Sequence, residues 1–578
     1  MKGVAGRRSL RGEPLRGPDR LGASVAGGAV LVDAAWVLVI CLLALLTCSR
    51  STYGAGEESG ERSIEDLVAA LGHTDANTRR EAAYVLDQMG PAAKDAVPAL
   101  IKALGDRDQQ VWSHAVHALS RIGPDAKEAV PALVRDLDGR NRQVWYRSAH
   151  ALGRIGPAAI PALVAALADG SEMRRSGAAK ALGWAGAAAR ESIPALLKAL
   201  EDTSEAVRAE AGGALGQIGL LAAPALLDAL GHAEARVRLE AARALRIVEG
   251  DLGFAWERVV GVIDDKDASV RSALLPLLGR LGRKPAELVP IFERKLEDSD
   301  EVVRKAAGEA FLKLPVLDAV PTLARVVESD NPAAAAVAAG VLARLGPAAR
   351  SSLPALLRAL VECEVDAAAE SFARAISSMG PEATGPIIES LRREPLRGAA
   401  ERGLVIALRA LAPETAPRLE EGLGDPSTRV RAASASALAS AGPAARGTLP
   451  ALLKALDDPQ GAVRAAAAHA LGALGHDALD AAPALARVLM DVEPAARAAA
   501  VFALPAVGLE APKVLPLLAR ALGDPDLSVR RPAAAALLAM GPEARDAAET
   551  VVGALRDADA EVRAAAAALL ARLAPLPE

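Results

Sequence analysis

The chain has 578 residues, 52% of them apolar but only 2% aromatic, and a formal net charge of −5. Abundant Ala and Leu beside so few rings and β-branched side chains exclude a sheet-rich core and predict helices throughout. Three cysteines (Cys41, Cys48, Cys363) are too few for a disulfide framework or a thiolate metal site, and the acidic balance argues against a general nucleic-acid binder.

In chain order, residues 1–28 carry Lys2, Arg7, Arg8, Arg11, Arg16 and Arg20 against only Glu13 and Asp19. An apolar stretch at 29–48 follows, about one bilayer span long, with Asp33 expected at its cytoplasmic edge because a carboxylate is costly near the bilayer centre. A basic segment followed by an apolar one predicts an export or anchoring helix. The basic end then stays in the cytoplasm, while residues 49–62, a linker with Glu57, Glu58 and Glu61, emerge outside. Three outcomes stay open: a cleaved signal peptide, a retained transmembrane anchor, or a lipoprotein. In the third the modified residue is Cys48, since Leu45-Leu46-Thr47-Cys48 resembles a bacterial lipobox. The expected location is the cell envelope of a bacterium, with the remainder of the chain outside the cytoplasm.

Residues 63–578 repeat one unit. Taking the residue after a recurrent Val as an anchor gives Arg431, Arg464, Arg497, Arg530 and Arg563, spaced 33 residues apart. Aligning the Ala-Leu and Gly positions backwards adds Arg79, Trp112, Trp145, Arg175, Arg208, Arg238, Arg271, Arg304, Ala335, Ala369 and Glu401, sixteen anchors in all. Each unit reads as two short helices. The first opens at a Pro such as Pro98 or Pro450, whose missing N–H costs nothing in a first turn. An Asp-rich turn follows, as at Asp106 and Asp108, with carboxylates suited to cap the second helix, which stops at a recurrent Gly-Pro such as Gly90-Pro91. Such a hairpin cannot bury its apolar face alone, so neighbours must stack into one continuous core.

The Pro-opened first helix, the Asp turn and the Val-Arg second helix resemble HEAT repeats, specifically the short type of phycobilisome-lyase-like proteins. The resemblance spans residues 63–576. The expected fold is all-α, a right-handed α-solenoid of about sixteen stacked two-helix HEAT-like repeats. The resemblance implies that the second helices line its concave surface. The recurrent Asp and Arg are expected to form a structural ladder between repeats.

Within a second helix the residue before the anchor and those three, four and seven after it should form the core. Those one, two, five and nine after should project outward. In the later repeats the outward positions are quiet: Ala432, Ala433, Ser436 and Ser440, or Ala465, Ala466, His469 and Ala473. In repeats two to four they hold Ser113, His114, His117 and Arg121, then Tyr146, Arg147, His150 and Arg154, then Ser176, Lys180 and Trp184, beside the anchors Trp112 and Trp145. Aromatic and Arg side chains dominate binding hot spots, which makes this cluster the candidate recognition surface. The alternative is that Trp112 and Trp145 fill space left by absent ladder arginines while the His and Arg residues are simply solvated. Residues 63–200 hold 17 basic and 15 acidic residues, whereas 201–578 hold 42 and 51, which suits the early repeats to an acidic or extended protein partner.

These features predict a non-catalytic protein-interaction scaffold, with no metal or cofactor and an oligomeric state left open. Two enzymatic alternatives come from family resemblance. A chromophore lyase is one. The other is a metal-dependent hydroxylase similar to the HEAT-repeat deoxyhypusine hydroxylases, which bind iron through His-Glu pairs. None of the seven histidines here is followed by Glu, which disfavours the second.

Overall fold

The computed structural model describes residues 62–138 and 141–573. The basic region, the apolar segment, Cys48 and nearly all of the linker lie outside the described residues. Among the described residues every regular element is helical. Sixteen second helices occur in order, each containing one anchor, from Ala76–Met89 around Arg79 to Ala560–Leu573 around Arg563.

The local chemistry of one hairpin explains the rest. In repeat two the first helix is Val97–Ala103, with Pro98 in its first turn. Asp108 then accepts hydrogen bonds from the N–H groups of Gln110 and Val111, capping the second helix Gln109–Ile122. These donors have no partner inside the helix, and the carboxylate supplies one. The helix ends at Gly123, whose φ of 71° is accessible to glycine at little cost. A 3₁₀ turn of seven residues, Gly123–Ala129, carries the chain to the next hairpin.

The predicted core positions Val111, Ala115, Val116 and Leu119 are all buried, and each second helix packs on the second helix of the next repeat. Because the buried layer is mainly Ala and Leu, neighbouring helices can approach closely. Gly216 shows how closely: a Cβ there would lie 2.8 Å from Ile247 Cβ of the following repeat.

Repeats eleven and twelve depart from the pattern. Where most other units place a positive-φ Gly eleven residues after the anchor, this one has Ala412. The second helix of one repeat therefore runs straight into the first helix of the next, making a single 25-residue helix, Gly398–Gly422, with Pro413 and Pro417 inside it. Without the left-handed stop the backbone continues in the conformation that Ala favours.

Candidate functional site

The recurrent Arg and Asp form a ladder. Arg464 donates from Nε and Nη2 to the two carboxylate oxygens of Asp491, both at 2.6 Å, and from Nη1 to the carbonyl of Asp458 at 2.7 Å. The same fork joins Arg79 to Asp106, Arg175 to Asp202, Arg238 to Asp265, Arg271 to Asp298, Arg431 to Asp458, Arg497 to Asp524 and Arg530 to Asp557, always across 27 residues. The hydrogen bonds from Arg464 hold the Asp491 carboxyl below the usual carboxylate range, although burial opposes them. Planar, bidentate pairing of this kind suits Arg in a way Lys cannot match.

Trp112 and Trp145 belong to this ladder line and not to the exposed surface expected for them. They are 7% and 9% exposed. An anchor side chain points where a guanidinium would otherwise lie, and Trp145 replaces one by donating Nε1–H to the Met173 carbonyl at 2.8 Å. Both indoles are packed along the line on which other repeats place Arg. Ser176 is also buried, its Oγ donating to the Met173 carbonyl, and Ala433 in the later repeats is buried too, so the position one or two after the anchor is not uniformly outward.

The remaining candidates do converge along the seam between successive second helices. His114 and His117 place their Nδ1 atoms 3.3 and 3.1 Å from the Asp87 carboxylate, and Arg121 Nη1 lies 3.7 Å from it. Asp87 itself is 3% exposed, so repeat one contributes a buried carboxyl that gathers three hydrogen-bonding groups from repeat two. One repeat on, Ser120 Oγ lies 3.1 Å from His150 Nδ1, and Arg147 reaches back to hydrogen-bond Ser113. Burial, followed by the nearby Arg154 and His117, depresses the His150 pKa.

Trp184 closes the strip. Tyr146 and His150 meet it edge-on, with ring centroids 5.0 and 5.3 Å away, while the Lys180 ammonium sits 5.6 Å from its ring and pairs with Glu210 at 3.0 Å. Gly153 makes the approach possible, since a Cβ there would lie 2.6 Å from Trp184 Cβ. Arg154 and Tyr146 stay exposed, and a cavity of about 410 Å³ opens among Val116, His117, Ser120, Tyr146, Arg147 and His150. The arrangement offers edge-exposed rings, guanidinium groups and imidazoles, a chemistry of recognition.

Two participants were missed in the sequence. Tyr84, half exposed and edge-on to His114 at 5.4 Å, occupies the same offset from its anchor as His117 and His150, and extending that offset to repeat one finds it. Asp87 lies eight residues after Arg79, where other repeats often hold Gly153, Gly183, Gly216 or Gly472. A carboxylate at a position otherwise reserved for close helix contact is the signal that could have found it. The later repeats are also less quiet than expected: Phe502 is half exposed and stacks at 6.0 Å on His469.

A family model described as HEAT repeats matches residues 64–144, 175–246, 415–505 and 482–571, more than half of the chain. A second, the PBS lyase HEAT-like repeat, matches residues 146–169. No curated protein matches this sequence. Among solved structures, the karyopherin Kap121p bound to the SUMO protease Ulp1p is similar at 14% identity and a TM-score of 0.40, over 90% of this chain and 75% of that one. Kap95p, from a complex with RanGDP, is similar at 13% identity and a TM-score of 0.36, over 88% and 83%.

Proposed function

Since the chain belongs to the HEAT-repeat family, a scaffold on which many functions are built, we propose that it is a non-catalytic protein-interaction scaffold whose recognition surface is the seam of repeats one to four. The observation that carries this reading is the contiguity of Tyr84, His114, His117, Arg121, Tyr146, His150, Arg154 and Trp184 along adjacent second helices. Stacked repeats favour extended partners, and the local excess of basic residues favours an acidic one. The solenoid stands outside the cytoplasmic membrane, exported or anchored by the N-terminal segment, with the seam on its concave side.

Two experiments test this. A reporter active only outside the cytoplasm, fused after residue 62, gives activity; a fusion that works only with a cytoplasmic reporter overturns the location. Affinity capture from a cell-envelope fraction identifies a partner. The Arg154→Ala/Trp184→Ala variant, folded by circular dichroism, then binds it about thirtyfold or more weakly, since each hot-spot truncation typically costs about 2 kcal/mol. Full affinity in that folded variant overturns the assignment of the surface.

A further inference from the structure

Elsewhere along the second helices, cations are balanced by carboxylates from the adjoining repeat. Lys180, five residues after its anchor, pairs at 3.0 Å with Glu210, two after the next anchor. Arg344, nine after its anchor, pairs with Glu309, five after the preceding one. In repeats two and three the same pairs of positions hold His117 with Arg147 and His117 with Arg154, so no carboxylate answers either arginine. Among the described residues Arg147 has the neutral Ser113 hydroxyl as its partner, and Arg154 makes neither an ion pair nor a side-chain hydrogen bond. Asp87 is taken up by His114, His117 and Arg121.

The cavity of about 410 Å³ opens at this unbalanced point. Val116, His117, Ser120, Tyr146, Arg147 and His150 line it, none of them acidic. Its walls are set: Tyr146 and His150 lie edge-on to Trp184, and Ser120 Oγ engages His150 Nδ1 at 3.1 Å. Burial first, then Arg154 and His117, lower the His150 pKa, and no carboxylate raises it. The charged groups that flank His150 are Arg147 and Arg154 on its own helix, His117 and Arg121 on the preceding one, and Lys180, neutralised by Glu210, on the following one. On the other elements packed there, Asp125, Lys127, Glu128 and Arg135 are exposed and screened by solvent, and Asp136 is bonded to Trp112. A concave site with several donors and an uncompensated positive field favours an anion.

We propose that this cavity is an oxyanion subsite, taking the carboxylate or phosphoryl group of an acidic side chain on the partner polypeptide. Arg147 is the donor suited to hold two oxygens at once, and Tyr146, His117 and His150 are the groups that complete the shell. The inference rests on the seam being a recognition surface and names the chemistry that it recognises. An imidazole donates from both nitrogens only when protonated, so an anion in the cavity draws a proton onto His150.

The test uses the full-length chain labelled with ¹³C at histidine Cε1, titrated with N-acetyl-phosphoserine amide, N-acetyl-glutamate amide and, as neutral isostere, N-acetyl-glutamine amide. At least one anion shifts the His117 and His150 signals saturably, and the glutamine analogue binds about tenfold or more weakly, the scale of hydrogen bonds to a charged group. The tighter anion identifies which side chain supplies the oxygens. Bound anion raises the His150 pKa by about 1, a tenfold preference for the protonated ring that a merely packed residue would not show. Arg147→Gln, which keeps a donor for Ser113, weakens anion binding about tenfold. Absence of saturable binding by both anions, equal binding of the glutamine analogue, an unmoved His150 pKa, or unchanged anion binding in folded Arg147→Gln overturns the inference. The two readings fail separately. A captured partner lost in Arg154→Ala/Trp184→Ala but kept in Arg147→Gln preserves the seam and overturns the oxyanion site, whereas a partner kept in both overturns the seam.

Discussion

Removing one carboxylate from the ladder tests the energetic reading of the fold. In Asp491→Ala the guanidinium of Arg464 loses two bonds of 2.6 Å and stays enclosed, since the pair is only 13% and 9% exposed. Orphaning one member of such a pair costs about 3 kcal/mol, at the low end for buried ion pairs because the Asp458 carbonyl still accepts from Nη1. Differential scanning calorimetry converts that loss into a measure of cooperativity. If about 510 residues unfold together, the unfolding entropy is about 1.1 kcal/mol/K and the melting temperature falls by about 3 °C. If only the last repeats, about 150 residues, unfold as a unit, it falls by about 10 °C. Arg208 provides the control, because it binds the carbonyls of Asp202 and Thr203 but has Ala235 in place of the partner carboxylate. Arg208→Met therefore costs about 1 kcal/mol, the net worth of ordinary hydrogen bonds. The double variant Arg464→Met/Asp491→Ala costs less than the sum of its parts, since no buried charge is left behind. Equal losses in Asp491→Ala and Arg208→Met, or strict additivity in the double variant, would refute the ladder as a set of coupled ion pairs.

Ladder aspartates such as Asp458, Asp491 and Asp524 have pKa values held below the unfolded range, so their contribution is fully present above about pH 4 and is lost as the pH falls through the lowered folded values. Circular dichroism against pH should show acid unfolding that becomes less steep when two of them are changed to Asn. His150 titrates below the ordinary histidine value, and Trp184→Ala, by exposing the ring, raises its pKa toward about 6.5, as read by NMR. Ala412→Gly destabilises the continuous helix by about 1 kcal/mol and speeds amide exchange at Thr415 and Ala416. Leu119→Ala, at a fully buried position, costs about 2 to 5 kcal/mol in chemical denaturation.

The repeat frame was legible because its signals are local: Val111 and Leu119 follow the helical period, Asp108 caps its own helix, and Gly123 stops it. The ladder was legible as a pattern through the resemblance, but its 27-residue fork was not, because it joins the second helix of one unit to the turn of the next. The direction of an anchor side chain depends on the same neighbour, which is why Trp112 and Trp145 looked like surface residues and proved to be packed. Asp87 escaped for a related reason. Its partners His114, His117 and Arg121 lie 27 to 34 residues away, and only the stacked helices bring their charges to one carboxylate.

Ala412 and the interrupted ladder also have a mechanical consequence. Between the Arg271–Asp298 and Arg431–Asp458 rungs no 27-residue fork staples one repeat to the next, and within that stretch the 25-residue helix splints repeats eleven and twelve. A bending load on repeats eight to eleven is therefore met by single ion pairs such as Arg358–Glu328 in place of forks, beside a strut that resists it. Forked stacks on either side of that stretch act as the longer arms on which such a load is applied.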